Sequence, residues 1–95
     1  MNLELAPRFI DEYRRLSTDD QALCDEAIQD LPAAFGYPHQ HAGIGVRALR
    51  RGVYECRAGL HIRIGFTRHS GTLLLQTVGD HQTIKRWLRR AARGL

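Results

Sequence analysis

Residues 54–66 read "YECRAGLHIRIGF", and apolar and polar side chains alternate on both sides of a short "AGL" turn. Such alternation is typical of half-buried strands, and two alternating runs joined by a turn with glycine predict an antiparallel hairpin. One side of this hairpin takes five apolar residues: Tyr54, Cys56, Ile62, Ile64 and Phe66. The other side takes four polar residues: Glu55, Arg57, His61 and Arg63. We therefore expect a sheet with one buried face and one polar face.

The hairpin is the centre of a larger predicted sheet. Strands are expected near residues 46–49, 53–58, 61–67 and 72–78, joined by the short turns "RRG", "AGL" and "HSG". Short turns join antiparallel neighbours, so these four strands form a meander. Residues 2–5 are a candidate for one further short strand.

Two antiparallel helices are predicted before the sheet, in residues 8–31. The first follows Pro7, a residue suited to the first turn of a helix. Thr18 and Gln21 have the spacing of a capping box at the start of the second, and Pro32 is expected to end it. The loop "PAAFGYPHQHAGIG" follows. Both helices carry apolar residues at helical spacing: Phe9, Ile10, Tyr13 and Leu16, then Leu23, Cys24, Ala27, Ile28 and Leu31.

A basic helix is predicted to close the chain. Asp80 is suited to cap its start. Its apolar stripe is Ile84, Trp87, Leu88, Ala91 and Leu95, and its other side is cationic: Lys85, Arg86, Arg89, Arg90 and Arg93. The predicted fold is α+β, a single domain over residues 1–95. The helix pair packs on one face of a four-stranded, mainly antiparallel twisted sheet, the other face is open, and the basic helix comes last.

Charge is distributed unevenly along the 95 residues. Eight acidic residues and three arginines lie in residues 1–31, whereas eleven of the fourteen basic residues lie in residues 32–95. A basic surface of this kind points to a polyanion or an acidic protein as partner. The sequence has no apolar run long enough to span a membrane, so we expect a cytoplasmic protein. Cys24 and Cys56 lack metal-site spacing and are predicted to be buried free thiols.

The order of elements and three local motifs resemble the RelE/ParE superfamily of bacterial toxins. The motifs are the tyrosine, acid and arginine of "YECR", the "HIRI" strand after a tight turn, and the glycine-x-histidine that ends "TVGDH". The resemblance implies a ribosome-dependent mRNA endonuclease that needs no cofactor. It also implies an acidic cognate antitoxin as partner, in a possible toxin-antitoxin hetero-oligomer. The same fold also serves toxins that poison DNA gyrase.

The residue types suit metal-free RNA cleavage. That reaction needs a base for the ribose 2′-hydroxyl, an acid for the leaving 5′-oxygen and cations for the phosphate. A guanidinium matches phosphate oxygens, and a histidine transfers protons near neutral pH. The candidate catalytic residues are His81, Arg63, Arg57 and His61. The resemblance implies that His81 is the acid or base and that Arg63 is a phosphate ligand.

Several alternatives stay open at this stage. His81 has the position of a surface or capping residue. For Arg57 and Arg63, the alternative to a catalytic role is a structural ion pair with Glu55. Glu55 itself is a candidate general base or a salt-bridge partner that holds an arginine. Many relatives carry a tyrosine near the C-terminus, where this chain has Lys85 or Trp87.

The cationic residues outside the hairpin also allow two interpretations. They form an RNA-binding surface, or they are a solvated helix face and turn. The candidates for RNA binding are Arg47, Arg50, Arg51, Lys85, Arg86 and Arg89. The "HQH" spacing at residues 39–41 is a weak candidate for a metal site, because acidic or cysteine ligands are missing nearby, so no metal is expected. Three functions remain: an mRNA nuclease, a gyrase inhibitor, and a toxin-fold binding module without activity.

Overall fold

The structure is a computed structural model that describes residues 1–36 and 44–94. None of the helices in these two ranges is both long and apolar enough to cross a membrane. The elements follow in this order: β1 (Asn2–Leu5), α1 (Pro7–Arg14), α2 (Thr18–Gly36), β2 (Arg47–Arg50), β3 (Val53–Ala58), β4 (Ile62–His69), β5 (Thr72–Gly79) and α3 (His81–Gly94).

The strands form one mixed sheet in the order β1-β5-β4-β3-β2. β2 to β5 are the predicted antiparallel meander, but β1 pairs in parallel with β5, with Leu3 opposite Leu73. The prediction of four strands is therefore wrong: the described residues form a sheet of five. Residues 2–5, the candidate for a short strand, form the fifth strand. Their pairing satisfies backbone groups of β5 that would otherwise lie unpaired at the edge of the sheet.

The central hairpin forms with the predicted alternation. Cys56 pairs with Ile64 and Arg57 pairs with Arg63 across β3 and β4. Gly59 in the connecting turn has a φ of 82°, a left-handed conformation that glycine adopts without steric cost. The pattern of "YECRAGLHIRIGF" thus predicted both strands and their turn.

The helix pair covers the apolar face of the sheet, as expected. Phe9 of α1 and Leu31 of α2 are buried against Ile64, Phe66 and other strand residues in one core. Burying each such side chain contributes roughly 1.5–3 kcal/mol before entropy losses. The two cysteines, also in this core, are free and fully buried. Burial is the main cause that raises the pKa of each thiol to about 12.

Both predicted ends of α2 differ in the structure. Ser17 caps the helix, because its Oγ accepts a hydrogen bond of 3.1 Å from the N–H of Asp20. Thr18 is therefore the first helical residue rather than the cap. At the other end the helix continues through Pro32 to Gly36. Proline inside a helix costs about 3 kcal/mol, and the complete burial of Ala34 beyond it offsets part of that cost.

The second face of the sheet is partly covered by α3. Trp87 and Ile84 bury themselves with Val53 in a second, smaller core. Gly65 permits this approach, because a Cβ there would lie 2.6 Å from Trp87 ring carbons. The expectation of a wholly open polar face is therefore wrong, and the open part is the end of the sheet beyond α3.

Candidate functional site

A polar cleft of about 270 Å³ lies at this open end of the sheet. The register places its residues side by side, since Arg47 is opposite Glu55 on β2 and β3 while Arg57 is opposite Arg63 on β3 and β4. Gly45 completes the lining. Three predicted cationic residues therefore meet in one place.

A buried glutamate organises the cleft. The Glu55 side chain is 4% exposed, and its Oε2 accepts a hydrogen bond of 3.2 Å from Nη1 of Arg63. Nη2 of Arg47 lies 3.3 Å from the same oxygen, although the Arg47 side chain is 64% exposed. Glu55 is thus a salt-bridge partner of Arg63, one of the two roles considered for it. The pairing with Arg47 was not predicted, because the register that places Arg47 opposite Glu55 depends on how β2 and β3 assemble.

Arg57 is the third cation of the cleft. A Cβ at Gly45 would lie 2.8 Å from Nε of Arg57, and Gly45 has a φ of 50°. The guanidinium therefore lies against the backbone at a position that suits glycine. Arg57 is exposed and forms no ion pair with any residue in the described ranges. Three guanidiniums and one carboxylate line the cleft and leave an excess of positive charge, which suits a phosphate group.

His81 lies at the same end of the sheet as the cleft. Gly79 at the end of β5 pairs with Arg63, and His81 follows two residues later as the first residue of α3. The capping role considered for His81 belongs to Asp80, whose Oδ1 accepts from the N–H of Thr83 at 2.9 Å and from its hydroxyl at 3.0 Å. The imidazole is exposed and has no hydrogen-bond partner within residues 1–36 and 44–94.

His61 lies in a turn rather than on a strand. β4 begins at Ile62, so the expectation of a strand from residue 61 is wrong by one residue. The side chain is exposed, next to Leu60, which is 87% exposed. The hairpin turn ends the pairing early because Gly59 and Leu60 are used to reverse the chain. His61 therefore stands at the rim of the same end of the sheet, two residues before Arg63.

The candidate RNA-binding residues divide into separate groups. Arg47 belongs to the cleft, whereas Arg50 and Arg51 lie at the far end of β2 and in the turn after it. The other group is exposed along α3: Lys85, Arg86 and Arg89. The structure therefore does not bring all six into one surface patch. The "HQH" segment, a weak candidate for a metal site, lies outside the described residues, and the described ranges hold no cluster of metal-ligating side chains.

A larger cavity of about 430 Å³ lies on the helix side of the sheet. It is mainly apolar, with Phe9 and Ile28 among its lining residues. At its rim the Tyr13 hydroxyl donates a hydrogen bond of 2.7 Å to Asp25, which is the main cause that raises the Tyr13 pKa to about 12. This cavity lacks converging cations, so the arginine cleft is the better candidate site.

The cap of α3 yields a prediction about stability. We expect Asp80→Ala to lower the free energy of unfolding by roughly 0.5–2 kcal/mol near neutral pH. Hydrogen bonds from Thr83, first from its N–H, hold the pKa of the Asp80 carboxyl below its usual value. The charged cap therefore stabilises the protein above the unfolded-state pKa of about 3.9, and this contribution is lost as the pH falls through the folded-state pKa.

Urea unfolding of wild type and variant at several pH values measures this dependence. The stability difference should shrink as the pH drops below about 4. Asp80→Asn is the control, because its amide oxygen still accepts the hydrogen bonds but does not titrate. An equal difference for Asp80→Ala at pH 7 and well below pH 4 would contradict the role of the charge.

Solved structures resemble this fold along most of its length. A copper-bound mutant toxin from Helicobacter pylori matches with a TM-score of 0.67 at 18% identity, over 86% of this chain and 96% of that one. RelE in the antitoxin-toxin complex from Methanococcus jannaschii has a TM-score of 0.66 at 13% identity, over 88% and 96%. The YoeB-YefM complex from Staphylococcus aureus has a TM-score of 0.59 at 19% identity, over 85% and 97%.

Sequence comparison adds no closer relative. No protein-family model matches the chain, and no curated protein sequence does. The likeness therefore lies in the arrangement of two N-terminal helices, the mixed five-stranded sheet and the C-terminal helix. By this arrangement the chain has the fold of RelE and of YoeB, the toxins in those two complexes.

Proposed function

We propose that this protein is the toxin of a toxin-antitoxin pair and that it cleaves mRNA on the ribosome. The observation that carries the proposal is the arginine cleft, where Arg47 and Arg63 pair with the buried Glu55. Arg57 also lines the cleft, and His81 lies at the same end of the sheet. A cationic cleft of this kind suits the phosphate of an RNA backbone. An adjacent exposed histidine suits proton transfer to or from the RNA.

The proposed reaction is attack of a ribose 2′-hydroxyl on the adjacent phosphorus, with departure of the 5′-oxygen. Arg63 and Arg57 bind the phosphate oxygens and offset the negative charge that grows in the transition state. His81 transfers a proton as acid or base, and His61 at the rim is a further candidate for that role. Glu55 holds Arg63 in place, since its Oε2 already accepts from that guanidinium.

The proposed partners follow from charge. RNA would lie along the exposed cations of α3 and β2, each phosphate contact adding a salt-dependent contribution to affinity. A cognate antitoxin would carry an acidic segment that orders over the cleft and keeps RNA out. RelE and YoeB have both been crystallised with their antitoxins. By analogy we propose a hetero-oligomer of this toxin with its own acidic antitoxin, in the cytoplasm.

A second candidate is a toxin that acts by binding alone, such as a gyrase inhibitor. Trp87 occupies the region where many relatives carry a tyrosine, and it is buried against the sheet, so it cannot reach RNA. Lys85 is exposed on α3 and is the remaining candidate for contacting phosphate or transferring a proton in place of that tyrosine. A binder would need the cationic surface but no titratable group at His81.

The test is to induce the protein in bacterial cells and map new 5′ ends on a translated mRNA by primer extension. The nuclease proposal expects cuts positioned by codon, and cuts by purified protein on programmed ribosomes that persist when a zinc-selective chelator is added at constant Mg²⁺. Growth arrest without new ends would overturn it, and inhibition of supercoiling by purified gyrase would then identify the second candidate. Cleavage abolished by the zinc-selective chelator and restored by zinc would instead revive a metal site.

A further inference from the structure

We infer that Glu12, on helix α1 and outside the cleft, is a positioning residue for the strand end that carries His81. This inference rests on the proposed function for its catalytic consequence. The pairing of β5 with β4 is irregular. The register with β4 passes from Gly65 opposite Thr77 to Phe66 opposite Leu75, so the register skips Gln76, whose side chain still donates a hydrogen bond of 2.9 Å to the Thr67 hydroxyl. A bulge of this kind re-aims the residues that follow it.

The outer edge of β5 is also incomplete at the bulge. β1 pairs with β5 only as far as Leu75, where the N–H of Ala6 donates a last hydrogen bond of 2.9 Å. The chain then turns into α1 at Pro7. The second half of β5 therefore has no neighbouring strand on this side among the described residues.

Glu12 supplies the missing acceptor. Its Oε1 accepts a hydrogen bond of 2.6 Å from the hydroxyl of Thr77 and one of 3.3 Å from the N–H of Val78. Thr77 is fully buried, and the Glu12 side chain is 18% exposed. Its other oxygen lies 3.8 Å from Nε of Arg8. One carboxylate thus fixes two consecutive residues of the bulged strand, where an unpaired buried donor would be costly.

The strand residues that Glu12 binds lie only a few residues before the cleft end of the sheet. Val78 is followed by Gly79, the partner of Arg63, then by Asp80, the cap of α3, and by His81. Gly79 packs closely against the first turn of α3, since a Cβ on it would lie 2.6 Å from the Thr83 hydroxyl. A shift of the strand at Val78 would therefore move His81 relative to Arg63.

The experiment compares Glu12→Ala with Glu12→Gln in the ribosomal cleavage assay. Glu12→Ala should lower kcat roughly 10- to 100-fold with little change in KM, because displacing a catalytic group by about 1 Å costs up to about 10² in rate. Glu12→Gln should retain most activity, because its amide oxygen still accepts both hydrogen bonds. Tyr13→Phe is the control for general destabilisation, since it removes the neighbouring hydrogen bond from α1 to Asp25. It should leave kcat unchanged.

An NMR readout separates this inference from the proposed function. In Glu12→Ala, the His81 ring signals should shift and the amides of Val78 to His81 should exchange faster, whether or not RNA is cut. If wild type does not cleave RNA, the nuclease proposal fails, and the ring signals alone decide the positioning role. Unchanged kcat together with unchanged His81 signals in a folded Glu12→Ala protein would overturn the inference. If that variant does not fold, Thr77→Val removes the same hydrogen bond from the other side and is expected to show the same effects.

Discussion

Replacing His81 with alanine is expected to slow RNA cleavage by roughly 10²- to 10⁴-fold, the usual contribution of a well-placed proton-transfer group. The His81 side chain is exposed, and Asp80 rather than His81 caps α3. The imidazole has no hydrogen-bond partner among the described residues. The histidine is therefore available for a substrate. Its loss should leave the fold intact, because the side chain contributes nothing to either core.

Single-turnover cleavage on programmed ribosomes measures this effect, with circular dichroism to verify folding. His69→Ala is the matched control, because His69 is also exposed but lies at the opposite end of β4 from the cleft. That variant should cleave as wild type does. Equal cleavage by wild type and His81→Ala would remove His81 from the mechanism and direct attention to His61.

The pH dependence of the same reaction distinguishes the role of the histidine. If His81 acts as the acid, the rate falls as the pH rises and the imidazolium loses its proton. If it acts as the base, the rate falls as the pH is lowered. A rate that stays flat from about pH 5 to pH 9 would contradict histidine acid or base chemistry altogether.

Arg63→Ala is expected to lower kcat by roughly 10²- to 10³-fold, the usual effect of losing one donor to the transition-state charge. Arg63 is the most firmly held cation of the cleft, since it is bound to the buried Glu55 at 3.2 Å. Being held in advance, it loses little freedom when it binds phosphate. Its removal leaves Glu55 paired with Arg47, so the protein should remain folded.

Two further variants make the Arg63 result specific. Arg63→Lys should recover only part of the rate, because an ammonium group lacks the planar fork that binds two oxygens at once. Arg68→Ala removes an arginine from the exposed end of the same strand, and it should leave the cleavage rate unchanged. The assay is again single-turnover cleavage. Equal losses for Arg63→Ala and Arg68→Ala would mean that overall charge matters rather than the cleft.

The site was predicted in part. Residue types and strand alternation identified Arg57 and Arg63, because a period of two determines which side chains share a face. The partner of Arg63 was also among the roles considered for Glu55. The meeting of Arg47 with these residues was not predicted, since strand register depends on a bulge between Ala48 and Arg50. The contact of Glu12 with β5 could not be found either, because 65 residues separate Glu12 from Thr77.

By itself, the sequence determined the local elements: the hairpin of residues 54–66, the helix pair with its apolar stripes, and the Asp80 cap of α3. These depend on periodicity and on side chains within a few residues of one another. Only the tertiary structure decided that β1 pairs in parallel with β5, that α2 continues through Pro32, and that Trp87 covers part of the polar face. Each of these depends on which surfaces are left to bury after the local elements have formed, and no nearby residue carries that information.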